Sequence, residues 1–279
     1  MPGPGASPGT APAGPAVDVA IVNWNTAEAA ADAAAAYLAS RGVAVAVTVI
    51  DNDSKAAERQ RLQELLPAGA RLLLSDENLG FGTGANRALA GGKGDLVCVS
   101  NADVIPRPKA LAALAAACLG DPGRGMVGPA FDDASAYHAE LPSAPALALR
   151  PFIGGFRHRF VDSPGPGETI EVGQPAGACF VVRRAVWEQL GGFDEDFFLW
   201  YEDVDLARRL RDAGYRNFVC GDALVDHTEG LATGTLSPRR HQAARLEGLR
   251  LYLRKHHPVT AKLTAPLLAL ATRLRAGGD

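Results

Sequence analysis

Four cysteines in 279 residues, Cys98, Cys118, Cys179 and Cys220, sit singly inside apolar segments. Neither Cys-x-x-Cys spacing nor the density of a secreted disulfide scaffold is present, so reduced core thiols and a cytoplasmic protein are expected. Also missing are a run of about 18 apolar residues and a basic segment leading into an apolar one, which argues against a membrane span and a signal peptide. Charge of one sign is scarce, since 28 Lys and Arg stand against 31 Asp and Glu for a formal charge of −3. Binding a phosphate backbone needs a basic excess, so no nucleic-acid partner is expected and any anionic ligand should be small and locally held. A dinucleotide fingerprint is lacking too. The Gly-rich run Asn78-Leu79-Gly80-Phe81-Gly82-Thr83-Gly84 comes at the third strand-to-helix turn, not the first, and its spacing is wrong.

What is present is enough apolar content, 47%, to bury a core as one large domain or two lobes. Residues 1–16 are Pro, Gly, Ala, Ser and Thr without periodicity and read as a disordered tail. From residue 17 the pattern alternates: strand 17–22, helix 28–40, strand 43–50, helix 56–66, strand 71–74, a Gly-rich turn, helix 85–90 and a strand that reaches Asp103. Strand, helix, strand predicts a parallel sheet with right-handed crossovers, hence an α/β fold. Beyond it lie a helix over 109–119, a strand at 126–130, a long Pro- and Gly-rich loop over 132–174 expected to border a binding site, and a buried strand over 177–182. Within that loop Arg150, Arg157, His158 and Arg159 form a basic group, either solvated or facing a phosphate-bearing acceptor.

The chemistry gathers at the ends of these elements. Leu96 to Ser100 is a buried strand that stops at Asn101-Ala102-Asp103, which would deliver a hard oxygen ligand to the carboxyl edge of the sheet, where open α/β folds bind ligands. The alternative is that Asn101 and Asp103 cap the helix beginning near 106–108. Asp51, in Asp51-Asn52-Asp53-Ser54, suits a turn or a ligand contact. Trp24 suits a core or a stacking face. In Glu202-Asp203-Val204-Asp205 the acids complement a helix start, and Asp205 can pair with Arg209 one turn on. The preceding Phe197, Phe198, Trp200 and Tyr201 would desolvate a carboxylate there and raise its pKa toward a general base.

In order, Val19-Ala20-Ile21-Val22-Asn23-Trp24-Asn25, Val49 to Ser54, Asn78 to Gly82, Ser100 to Asp103 and Phe197 to Leu206 resemble the motifs of the family-2 glycosyltransferases, most closely their rhamnosyltransferase-like branch. The resemblance covers about residues 17–230. It implies a GT-A fold, a Rossmann-like and mostly parallel central sheet flanked by helices with a C-terminal helical extension. The implied halves are a nucleotide-sugar half over 17–105, an acceptor half over 106–230 and the extension over 231–279. It also implies inverting transfer from a nucleoside-diphosphate donor, dTDP-rhamnose or another dTDP- or UDP-sugar, to an acceptor hydroxyl. By resemblance Trp24 and Asn25 lie beside the base, Asp51 accepts from its imide, and Asn78, Gly80 and Asn101 contact the donor nucleotide. Asp103 and His227 hold Mg²⁺ or Mn²⁺. Asp203 is the base, with Glu202 next in line. Asn101 departs from the usual Asp-x-Asp, and one fewer charge weakens a hard-cation site.

Two further classes fit parts of this pattern: a sugar-phosphate nucleotidyltransferase, whose motif after the first strand is replaced by Asn23-Trp24-Asn25, and a non-catalytic nucleotide-sugar-binding module. The acceptor is left open among a carbohydrate, a lipid-linked sugar and a small natural product. Two basic helical stretches, 239–254 and 259–274, can close the core, form a homodimer or lie peripherally on an anionic membrane at the inner face of the cell membrane.

Overall fold

The computed structural model describes residues 14–131, 138–149, 160–227 and 238–276. Its first half alternates β1 (Ala16–Asn23), α1 (Ala27–Leu38), β2 (Ala44–Asn52), α2 (Ala56–Leu65), β3 (Ala70–Ser75), α3 (Phe81–Leu89) and β4 (Leu96–Asn101). The strands pair in the order β3-β2-β1-β4, all parallel, as the alternation predicts. The centres of β1 and β4 are buried on both faces: Val19, Ile21 and Cys98 pack under α1 with Leu111 and Leu114, while Ala20, Val22 and Val99 pack with Ala85 and Ala88 of α3. Register then decides where chemistry can sit. Asn23 pairs with Asp51 and Val22 with Asn101, so three strands end together at one edge.

The Gly-rich stretch is helix, where a turn was expected: α3 begins at Phe81 and buries Gly82, Thr83 and Gly84. A Cβ on Gly84 would lie 3.3 Å from Val22 Cγ1, and one on Gly82 3.0 Å from Phe193 Cβ. These glycines serve close helix packing.

Beyond β4 the sheet becomes mixed. The remaining elements are β5 (Val104–Pro106), α4 (Ala110–Leu119), β6 (Arg124–Phe131), β7 (His138–Ala139), α5 (Ala144–Leu149), β8 (Phe160–Val161), β9 (Thr169–Val172), β10 (Cys179–Arg183), α6 (Arg184–Leu190), α7 (Glu202–Asp212), β11 (Arg216–His227), α8 (Pro238–His256) and α9 (Pro258–Ala276). β10 runs antiparallel to β4 and to β6, β11 runs parallel to β6, and both β5 and β9 lie antiparallel on β11. The passage over 132–174 is therefore not one loop: β7 pairs with β8, β9 joins the main sheet, and α5 adds Leu147 to a core. The basic group Arg150, Arg157, His158 and Arg159 lies outside the described residues.

The C-terminal helices complete a third core. α8 contributes Leu246, Leu249, Tyr252 and Leu253 against Phe197, Tyr201 and Val204, and α9 contributes Leu268. A fully buried Asp205 binds α7 to the end of α8, with Arg209 Nε at 2.6 Å, His256 Nε2 at 2.7 Å and Lys255 Nζ at 2.8 Å. Asp205 therefore does pair with Arg209, and Lys255 and His256 from α8 join it. Among the described residues no helix is long and apolar enough to cross a membrane.

α8 approaches the segment before α7 through Gly248, where a Cβ would fall 2.3 Å from the Trp200 carbonyl oxygen. Gly248→Ala should destabilise the fold by about 1–3 kcal/mol, as overpacking does, and lower Tm by several degrees in thermal unfolding. A variant melting with the wild type would show that this helix is not packed as described.

Candidate active site

The shared strand edge is built from short polar side chains. Asn23, at the end of β1, is fully buried and donates from Nδ2 to Asp51 Oδ2 at 2.9 Å. Asp51 Oδ1 accepts from Arg59 Nε at 3.0 Å and from the Ser54 amide at 3.2 Å. Asn25, in the left-handed region at φ 58°, accepts from the Lys55 amide at 2.8 Å and donates its own amide to Ser54 Oγ at 2.8 Å. Asp51, expected at a base imide, is thus fully enclosed and occupied, and neither it nor Asn25 lines the cavity described below. The cause is Arg59, one turn into α2, which neutralises the carboxylate where the strand ends.

Asn52 and Asn78 form the next layer. Asn52 Nδ2 donates to Asn78 Oδ1 at 3.1 Å and to the Gly80 carbonyl at 3.0 Å, and its Oδ1 accepts from the Leu79 amide at 2.9 Å. Gly80 has φ +80°, and a Cβ there would lie 2.1 Å from the Phe198 carbonyl oxygen. Only glycine fits that close approach. The Phe81 amide donates to the same carbonyl at 3.0 Å.

Asn101 and Asp103 do not cap a helix: β5 intervenes, and α4 starts after Lys109. The Asn101 amide donates to the Ala178 carbonyl at 2.8 Å. Because β5 pairs with the end of β11, with Val104 opposite His227, the imidazole comes beside the carboxylate, His227 Nε2 lying 3.4 Å from Asp103 Oδ1. His227 is the last residue of a long strand and packs its ring 5.5 Å from that of Phe131.

The acidic run opens α7 as expected. Trp200 and Tyr201 precede it, both in the left-handed region at φ 73°. Such backbone in bulky residues costs on the order of 1 kcal/mol or more each and persists only where the surroundings hold it. Here Phe198 is held by Gly80, Trp200 by Gly248, and the Trp200 ring by the Arg245 guanidinium 4.8 Å away. Asp203 Oδ1 accepts from the Val204 amide at 2.8 Å and Oδ2 from Gln174 Nε2 at 2.7 Å. Gly177 makes room for this carboxylate: a Cβ there would lie 2.4 Å from Asp203 Oδ2. Burial raises the Asp203 pKa despite these two donors. Glu202 is pushed up to about 8, first by burial and then by the charge of Asp203.

Between the two groups of residues lies a cavity of about 710 Å³, the size of a pocket for a small ligand. Trp24, Asn78, Gly80 and Asn101 line it, together with the neighbouring Asp103 and His227 and with Glu202 and Asp203. Three lining or positioning residues escaped the sequence reading. Asn52 is legible only as a neighbour of Asp51, while Gln174 and Arg240, the latter reaching the cavity from α8, carry no local signal.

Removing the Gln174 donor should raise the Asp203 pKa further, because that hydrogen bond favours the ionised form. In Gln174→Leu the carboxyl should titrate at higher pH by carbon-detected NMR. An unchanged titration would remove Gln174 from the site.

The glycosyltransferase-like family 2 model matches residues 15–246. An N-acetylglucosaminyl-diphospho-decaprenol L-rhamnosyltransferase of Mycobacterium tuberculosis is 33% identical over 251 residues, covering 79% of this chain and 80% of that protein. Among solved structures, the mannosyltransferase PcManGT from Pyrobaculum calidifontis, in complex with GDP-Man and Mn²⁺, superposes with a TM-score of 0.58 at 17% identity over 96% of this chain and 77% of its own. Staphylococcus aureus TarS 1–349 gives 0.53 at 14% identity over 87% and 73%. At these identities the likeness shows the fold, which is GT-A, a mostly parallel sheet flanked by helices. The matched motifs sit on the strand ends and the acidic helix that enclose the cavity, and the chain belongs to the glycosyltransferase-like family 2, as a rhamnosyltransferase-like member.

Proposed function

We propose that this glycosyltransferase moves a sugar from a pyrimidine nucleoside-diphosphate donor, dTDP-rhamnose or another dTDP- or UDP-sugar, to an acceptor hydroxyl with inversion. The observation that carries the reading is that Asp103 with His227, and Asp203, face one cavity from different elements. Family membership sets the nucleotidyltransferase alternative aside. The strand edge within 17–105 would hold the donor, with Trp24 offering a stacking face to the base and Asn78, Gly80 and Asn101 near the sugar and phosphates. The 106–230 half would present the acceptor.

The residues present fit a divalent cation. Asp103 and His227 offer one carboxylate and one imidazole, and among the described residues no cluster of three His, Cys, Asp or Glu could cage an ion. That donor set suits Mg²⁺ or Mn²⁺, which complete their shell with substrate phosphates and water. A bound cation would offset charge on the departing diphosphate. Mn²⁺ accompanies GDP-Man in the PcManGT structure and UDP in that of GalNAc-T7, which supports the same choice here. Asp203, held by Gln174 and the Val204 amide, would take the acceptor proton as the hydroxyl attacks the anomeric carbon opposite the diphosphate, and attack from that side inverts the centre.

The named acceptor of the mycobacterial relative is a diphospho-lipid sugar, which favours a lipid-linked acceptor here. The C-terminal hairpin suits that. Residues 238–276 hold nine Lys or Arg and one acid, a net +8 against −11 for the rest of the chain. On α9, Val259 and Leu263 are 71% and 75% exposed, on the same face as Lys262. Such a surface can lie on an anionic membrane at the cytoplasmic face. Sedimentation with phosphatidylglycerol but not phosphatidylcholine vesicles is expected, and Val259→Asp with Leu263→Asp should weaken it. Indifference to vesicle charge would end the membrane proposal.

A panel of nucleotide sugars with and without Mn²⁺, scored for binding and slow donor hydrolysis, tests the donor. If no nucleoside diphosphate binds, the transferase reading of this cavity fails. Within the panel, Asp103→Ala should reduce metal-dependent donor binding, whereas Asp203→Asn should leave it nearly intact and depress transfer by roughly a hundredfold or more. Normal turnover by Asp203→Asn would remove the base from that residue.

A further inference from the structure

Glu202 is unlike the two acids that follow it. Asp203 has two donors, and Asp205 has three basic partners, Arg209, Lys255 and His256. Glu202 lines the cavity at 7% exposure, and its Oε2 is sealed from solvent with no hydrogen-bond partner. Its stem packs toward α3, where a Cβ on Gly82 would lie 3.6 Å from Glu202 Cβ, beside Phe193. A carboxylate oxygen in such surroundings has nothing to stabilise its charge, and a second carboxylate next along the chain makes ionisation costlier.

We infer that Glu202 works as a neutral carboxylic acid, its sealed Oε2 uncharged and its other oxygen meeting a sugar hydroxyl in the cavity as the O–H donor, while Asp203 alone carries the negative charge that removes the acceptor proton. A neutral carboxyl offers one donor and several acceptor positions, which matches a hydroxyl; an ionised one only accepts. No bond to Glu202 forms or breaks, and its proton stays in place through the transfer. The adjacent acids thus divide between them two tasks that one protonation state could not serve. Burial and the Asp203 charge hold Glu202 in this form up to a pH of about 8. The identity of the hydroxyl as a sugar's rests on the proposed transferase reading. The protonation state does not.

Two measurements separate these layers. The first is thermal unfolding of the wild type and Glu202→Gln from pH 4 to 9. The unfolded chain releases the Glu202 proton near its ordinary value of 4.5, whereas the folded chain keeps it to about 8. The folded pKa is the raised one, so the wild type should lose stability progressively between those values and no further above them. Glu202→Gln cannot titrate, and its Tm advantage should grow across that window and then level off. Melting curves that stay parallel at every pH would mean that Glu202 is ionised in the folded protein, and would overturn the inference without any activity assay.

The second measurement is the pH dependence of KM for the sugar substrates. In the wild type KM should rise above about pH 8 as the O–H is lost. Glu202→Gln, whose amide both donates and accepts, should transfer more slowly than the wild type but faster than Glu202→Leu, and without that alkaline rise. Glu202→Leu should raise KM by roughly three- to tenfold, the value of one neutral hydrogen bond. A folded but inactive Glu202→Gln would make Glu202 the base and refute the neutral role. Absence of transfer by the wild type with every donor would instead refute the proposed function, and the melting series would still decide the protonation state.

Discussion

The approach of Gly80 to Phe198 sets the distance on which the site depends. With no Cβ at Gly80 the two backbones come close enough for the Phe81 amide to donate to the Phe198 carbonyl at 3.0 Å. One side of this contact is the strand edge, where β1, β2 and β4 end together. The other is the segment that leads into the acidic helix. A larger residue at position 80 would part the two sides and widen the space between Asn101 and Asp203, because backbone against backbone has no flexible atom to yield.

The acidic helix needs more than this contact to point at the cavity. Trp200 and Tyr201 both take left-handed backbone, which turns the chain so that Glu202 and Asp203 begin α7 at the cavity wall. That conformation is over-determined by its neighbours. Gly248 admits the Trp200 carbonyl, Arg245 covers the indole, and the buried Asp205 draws Lys255 and His256 onto α7. The C-terminal helices therefore act as the brace of the acidic helix, and Arg240 enters the cavity from the same brace.

Electrostatics within the site follow from the number of donors each carboxylate receives. Asp51 has three and is enclosed; Asp205 has a depressed pKa, through His256, Lys255 and Arg209 acting against its burial. Asp203 has two donors and a raised pKa, and Glu202 has an oxygen with none and a pKa pushed up to about 8. Acids within four positions of one another thus hold different protonation behaviour because their surroundings, not their sequence neighbours, supply the hydrogen bonds.

The sequence by itself determined the parallel half of the sheet, its strand ends to within about two residues, the helical start at Glu202 and its pairing of Asp205 with Arg209, since periodicity and i,i+4 spacing act within a few residues. It also carried the family, because the motifs are short and ordered along the chain. Tertiary structure alone decided that Asp51 is shut in by Arg59, that Gly82 and Gly84 lie inside a helix, that 132–174 contributes strands, that Gln174 holds Asp203, and that His227 meets Asp103. Desolvation and hydrogen-bond satisfaction depend on which distant segments meet. Nothing in the local pattern around Glu202 could tell that one of its oxygens would be buried without a donor.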